Sequence, residues 1–136
     1  MSGWSETRVQ GSGATLRVRR LGSAGPPVLL LHGFPDSSEV WREVAPRLVA
    51  AGYHVIAPDL RGFGQSDAPA RTADYALGHT VADLRSLISR LLHDEPVRVI
   101  GHDWGAVAAW CLALEHPQLV PAQVVLSVGH PRQYAL

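Results

Sequence analysis

The segment from Val97 to Ala109, VRVIGHDWGAVAA, constrains the fold of this chain more than any other. The apolar run Val97-Arg98-Val99-Ile100 reads as a strand of a buried sheet. It passes through Gly101-His102-Asp103-Trp104-Gly105 straight into an Ala-rich stretch, Gly105 to His116, which Pro117 ends as a helix. A strand that runs into a helix without a loop needs a sharp, strained turn. Small residues two before and two after the central residue permit one. The central side chain, Asp103, then stands in the open at the positive end of the helix. This is the spacing of a nucleophile elbow, G-x-S-x-G, with aspartate in place of serine. Asp is also a good helix N-cap, so the turn alone leaves capping open as the reason for Asp103.

The rest of the chain supplies the sheet that such a turn requires. Thr7-Arg8-Val9 and Leu16-Arg17-Val18-Arg19 alternate apolar and polar residues, as outer antiparallel strands do. Val28-Leu29-Leu30-Leu31 is a continuous apolar run, and Val55-Ile56-Ala57 and Val124-Val125-Leu126 repeat its character. Between these strands, Val40, Trp41, Val44, Leu48 and Val49 recur at helical steps and Gly52 stops them. Val81, Leu84, Ile88 and Leu91 form a second stripe between about Leu77 and Leu92. Two outer strands followed by alternating β and α segments predict an α/β protein: a mostly parallel sheet with flanking helices. Composition shifts nowhere, so residues 1–136 are expected to belong to one domain.

Composition narrows the partners. Twelve Arg and no Lys balance twelve Asp plus Glu, and a formal charge of zero gives no reason to expect nucleic acid or an anionic membrane. A single cysteine, Cys111, cannot close an internal disulfide. The N-terminal residues lack an apolar signal core, and the longest near-apolar run, Trp104 to Leu114, is far short of a membrane span. The expected location is the cytoplasm. No His pair has metal-ligand spacing with carboxylate or thiolate support, so no metal is expected. Gly62-Phe63-Gly64 is not a dinucleotide fingerprint, because no helix follows it directly.

A second segment joins the first. Leu29 to Leu31 runs into His32-Gly33-Phe34-Pro35, again at the C-terminal end of a buried strand, where α/β sheets place their ligand sites. In an architecture with a nucleophile elbow, the loop here supplies one backbone N–H to an oxyanion hole, and the residue after the nucleophile supplies another. Those donors would be Phe34 and Trp104. A cis bond before Pro35 would fix the direction of the Phe34 N–H.

HGFP at 32–35, DLRGFGQSD at 59–67 and GHDWG at 101–105 together resemble the α/β-hydrolase superfamily, in its epoxide hydrolase and haloalkane dehalogenase branch. The resemblance covers roughly residues 5 to 136. It implies that Asp103 is the catalytic nucleophile, that Phe34 and Trp104 form the oxyanion hole, and that His32, Gly33, Pro35, Gly101, His102 and Gly105 shape the site. It implies a small-molecule substrate and no cofactor, and leaves the oligomeric state open. Aspartate suits an electrophilic saturated carbon. Serine attacking such a carbon would leave an inert ether, whereas a carboxylate leaves an ester that activated water can hydrolyse. The carboxylate is also ionised already at neutral pH.

Within the branch, many haloalkane dehalogenases carry Asn where this chain has Phe34, and an acid where Pro117-based alignment puts Ser127. Haloacetate dehalogenases tend to have Arg where Trp104 stands. These departures favour hydrolysis of epoxides to diols, with carbon–halogen cleavage as the alternative. By the same resemblance, a histidine and a supporting acid follow the nucleophile in chain order, beyond a helical cap that carries two tyrosines. The chain stops where that cap would begin, in the segment 129–136. The expectation is therefore the N-terminal half of an α/β-hydrolase core, lacking cap and C-terminal strands. Such a piece would be inactive alone and poorly soluble along its sixth strand, or a truncated product with no catalytic role. His130 follows the wrong strand to be the base, and Tyr134 is too near the end to be given a place over the site.

The remaining conspicuous residues have structural expectations. Asp59 and Arg61 would hydrogen-bond locally in a glycine-turned loop. His32 and His102 would order the site loops, Cys111 would fill core, and His54, His79, His93 and His116 would lie at the surface or at helix ends.

Overall fold

The computed structural model describes residues 3–133. Six strands form one sheet: β1 (Ser5–Gln10), β2 (Thr15–Leu21), β3 (Pro27–Leu31), β4 (His54–Pro58), β5 (Arg98–His102) and β6 (Gln123–Leu126). Their order is β1-β2-β4-β3-β5-β6. β1, β2 and β4 pair antiparallel, and β4, β3, β5 and β6 run parallel. The helices are α1 (Ala45–Ala50), α2 (Leu77–Leu92) and α3 (Trp104–Glu115), with short 3₁₀ turns at Ser38–Trp41, Thr72–Tyr75 and Pro131–Gln133. The predicted mostly parallel sheet with flanking helices is the one observed.

Strand character follows position in the sheet. β3 is central and every one of its residues is buried. Its side chains alternate between two cores, as the two-residue strand period requires. Leu29 and Leu31 pack with Leu84, Leu87 and Ile88 of α2 and Ala108 and Leu112 of α3. Val28 and Leu30 pack on the other face with Trp41, Ala45, Val55 and Ala57. Outer β1 buries only Val9, which pairs with Leu16. Truncation at Leu29, fully buried in the core beneath α2 and α3, would cost about 2–5 kcal/mol in this setting.

One helix differs from expectation. The stripe from Val40 to Val49 is not continuous: a 3₁₀ turn ends at Trp41, and α1 starts afresh at Ala45. Pro46 is the cause, because it sits in the first turn of α1 and has no N–H to bond back along a longer helix. Trp41 and Ala45 are buried while Val40 and Val44 face solvent. The second stripe fits α2 as expected, with Val81, Leu84 and Ile88 buried and Leu91 packed at the margin.

Candidate active site

The turn between β5 and α3 brings Asp103 to the C-terminal ends of the parallel strands. Asp103 adopts φ 57° and ψ −123°, a conformation that non-glycine residues rarely hold and that marks stored strain. The flanking glycines allow close approach. A Cβ on Gly105 would lie 2.1 Å from the Leu31 carbonyl oxygen, so α3 can rest against the end of β3 only without a side chain there. A Cβ on Gly33 would lie 2.4 Å from Asp103 Cβ, which brings the two loops into contact.

That contact puts two donors on one oxygen. The Phe34 N–H donates to Asp103 Oδ2 at 3.0 Å, across 69 residues of sequence, and the Trp104 N–H donates to the same atom at 2.7 Å. The Phe34–Pro35 bond is cis. Capping alone does not describe this arrangement. A capping side chain reaches the second or third N–H of its helix from an extended backbone, not the first from positive φ. The hydrogen bonds from Phe34 and Trp104 hold the Asp103 carboxyl below the usual carboxylate range. Oδ1 carries no hydrogen bond among the described residues.

Beneath the site, His32 is fully buried and engaged at both ring nitrogens. Leu60 N–H donates to Nε2 at 2.9 Å, so the proton sits on Nδ1 and points to the Gly33 carbonyl at 2.9 Å. Burial pushes its pKa down, against the Gly33 contact, so the ring ties β3 to the segment after β4 as a neutral imidazole. The His102 ring makes no hydrogen bond among the described residues. His130 packs edge-on against Trp110 at 4.6 Å and accepts from the Arg132 N–H at Nδ1, away from any carboxylate partner. Ser127 follows β6 with φ 72°. Tyr134 lies outside the described residues. Among them, no group of three or more His, Cys, Asp or Glu is placed to hold a metal ion, and no helix is long and apolar enough to cross a membrane.

The DLRGFGQSD loop differs from expectation in its partners. Asp59 and Arg61 do not pair with each other. Asp59, fully buried, accepts from Ser38 N–H at 2.8 Å, Gln65 N–H at 2.9 Å and the Arg17 guanidinium at 3.3 Å. Burial alone would raise its pKa, but these donors outweigh it and hold the carboxyl below the usual range. Arg61 instead grips Asp83 of α2 through Nε and Nη2 at 2.7 and 2.8 Å. The local pairing gives way to more distant partners: Asp59 meets Arg17 of β2, and Arg61 meets Asp83 of α2, each pair in the interior.

A cavity of ≈ 310 Å³ opens beside the two N–H donors, walled by Phe34, Phe63, Tyr75, Leu77, Thr80 and Trp104. Phe34 meets Phe63 edge-to-face at 6.1 Å. Phe34 and Trp104 leave 66% and 57% of their surface exposed, far more than aromatic residues need for packing alone. Sequence reasoning singled out Phe34 and Trp104 for their backbones but missed Phe63, Tyr75, Leu77 and Thr80 as a wall. No local pattern announces it, because the loop brings those residues together only in space.

A strained acidic elbow at the end of a parallel strand, facing two converging N–H groups, defines the class. The chain belongs to the alpha/beta hydrolase fold family, whose model matches residues 26–134. It is also similar to longer proteins named as epoxide hydrolases. It is 44% identical over 128 residues to Epoxide hydrolase 2 of Siraitia grosvenorii, covering 94% of this chain and 40% of that protein. It is 43% identical over 125 residues to Epoxide hydrolase A of Mycobacterium tuberculosis, covering 91% and 38%. The crystal structure of epoxide hydrolase VrEH1 from Vigna radiata superposes with a TM-score of 0.88 at 39% identity, covering 93% of this chain and 40% of that one. The chain thus spans about two-fifths of the length of these relatives.

Proposed function

We propose that this chain carries the nucleophilic half of an epoxide hydrolase site, with Asp103 forming an ester to an epoxide carbon. The observation that carries the reading is the pair of N–H bonds converging on Oδ2 while Oδ1 is left without a donor. Oδ1 attacks the ring carbon in line with the C–O bond, which breaks. The ring oxygen leaves as an alkoxide and takes a proton from water or a nearby acid. Oδ2 becomes the ester carbonyl oxygen. When water attacks Cγ, the negative charge develops on Oδ2, already held by Phe34 and Trp104. Hydrolysis then releases the diol and restores the carboxylate.

Epoxide is favoured over carbon–halogen chemistry by Phe34, whose side chain offers no amide for a departing halide, and by Ser127, which is no carboxylate. The relatives carry epoxide hydrolase names. The second step needs a histidine to activate water and an acid to orient it. Among the described residues no histidine pairs with a carboxylate, and we assign both groups to further polypeptide of the kind the longer relatives possess. The chain by itself is then expected to capture styrene oxide once, as a stoichiometric mass adduct, and to release no diol at steady state. Repeated turnover by this chain, lost in Asp103→Ala, would contradict that division.

Two further outcomes follow from the geometry. Because the Phe34 and Trp104 N–H groups depress the Asp103 pKa, the carboxylate stays charged where an ordinary one, at ~4, begins to protonate. The adduct rate, corrected for the acid-catalysed background with Asp103→Asn, should hold to lower pH than an ordinary carboxylate would allow. It should fall only as pH drops through the depressed value. A fall centred on the ordinary carboxylate range would mean the N–H groups do not act on Asp103. Gly33→Ala should push the two loops apart, since its Cβ cannot share space with Asp103 Cβ. A displacement of about 1 Å predicts an adduct rate slower by about 10²-fold, measured by intact-mass kinetics against wild type.

A further inference from the structure

The cavity beside Asp103 has a character that the reaction alone does not require. Apart from Thr80 its walls are aromatic or aliphatic, and the charged residue that also borders it, Arg61, is spent. Arg61 is 3% exposed, its Nε and Nη2 are bound to Asp83, and its Nη1 and Nη2 also donate to the carbonyls of Asp74 and Ser12 at 2.7 Å each. The adjacent Asp83 carboxylate cancels the guanidinium charge. A carboxylate-bearing substrate entering here would find no cation to pair with and would be desolvated without compensation.

One wall is held in place by a specific device. The Tyr75 hydroxyl donates to the Pro69 carbonyl at 2.7 Å, and its ring lies so close over Gly62 that a Cβ there would meet Tyr75 Cε1 at 2.5 Å. Gly62 also holds φ 86°, which a side chain would resist. The ring is therefore held in the wall of the cavity that Trp104 also lines, and its position sets the room available. A volume of ≈ 310 Å³ admits a phenyl-sized group.

Resting on the reading of Asp103 given above, we propose that this cavity is the seat for a neutral, apolar substituent of the epoxide, with Tyr75 as a specificity-determining residue that sets its size. The seat selects aryl epoxides over short alkyl ones and rejects those that carry a carboxylate.

The test is equilibrium binding of unreactive probes to the ¹⁵N-labelled chain, read at the Trp104 indole and the Phe34 and Trp104 amides. 1-Phenyl-1,2-ethanediol should shift these signals to saturation. Mandelate, the same skeleton with a carboxylate, should bind roughly tenfold or more weakly, and propane-1,2-diol should not saturate. Thr80→Trp, which fills the cavity from the first turn of α2, should abolish binding of the phenyl diol. Tyr75→Ala should weaken it several-fold, and Tyr75→Phe, which keeps the ring, should restore it. Saturation by mandelate at the same concentration as the diol, or phenyl-diol binding unchanged by Thr80→Trp, would overturn the seat. Asp103 alkylation by propylene oxide, measured in parallel, separates the two readings. Adduct formation without phenyl-diol binding removes only the seat. Phenyl-diol binding without any adduct removes only the nucleophile assignment.

Discussion

Asp103→Asn is expected to abolish covalent capture of epoxide by this chain, slowing it by about 10³-fold or more, while leaving the fold intact. The amide keeps an oxygen for the Phe34 and Trp104 N–H groups but has no anionic partner oxygen to attack carbon. Asp103→Ala should lose the reaction as completely and also leave both N–H groups without their acceptor. Intact-mass kinetics with styrene oxide reads the reaction, and thermal unfolding reads the fold. Capture by Asp103→Asn at the wild-type rate would place the nucleophile elsewhere.

The second large effect is on stability. Asp83→Ala should destabilise the chain by about 3–5 kcal/mol, because it strands the Arg61 guanidinium in the interior. Asp83 and Arg61 are 1% and 3% exposed, and Asp83 Oδ1 also accepts from Ser12 N–H at 2.8 Å, pinning the β1–β2 turn to α2. The exposed pair Arg8–Asp67, with side chains about half accessible, should matter far less: Asp67→Asn is expected to cost about 0–1 kcal/mol. The contrast arises because solvent screens the surface pair and cannot reach the buried one. Urea unfolding of the three proteins measures it. Replacing Arg61 and Asp83 together with Met and Leu should recover much of the loss. Equal destabilisation by Asp83→Ala and Asp67→Asn would show that burial does not govern these pairs.

The parts of this molecule that were legible in its sequence are those whose cause is local. Strand β3 could be read from Val28 to Leu31 because a strand covered on both faces must be apolar throughout. Helix α2 could be read from its stripe, and the elbow from two glycines whose missing side chains let α3 and the HGFP loop close on Asp103. The break before α1 was also written in the sequence, as Pro46, but the apolar spacing of Val40 and Val44 suggested a helix face that the structure leaves in solvent.

The ion pairs were not legible. Arg17 and Asp59 are 42 residues apart and Arg61 and Asp83 are 22 apart, and nothing in either spacing marks the partners. The nearby Asp59 and Arg61 suggested a local pair that does not form. Burial in three dimensions chose the partners instead, since each charge had to meet one of opposite sign before it could leave water. The cavity wall was hidden for the same reason: Phe63, Tyr75 and Leu77 become neighbours of Trp104 only once the 62–77 loop is folded over the end of the sheet.

The most direct test of the nucleophile assignment is to locate the adduct. After brief exposure of the chain to styrene oxide, the tryptic peptide from Val99 to Arg132 holds both Asp103 and Cys111, and fragmentation separates the two. The expected result is one added epoxide mass on Asp103, removed by mild base as an ester should be. A base-stable adduct on Cys111, or an adduct distributed over surface carboxylates with Asp103 unmodified, would contradict it.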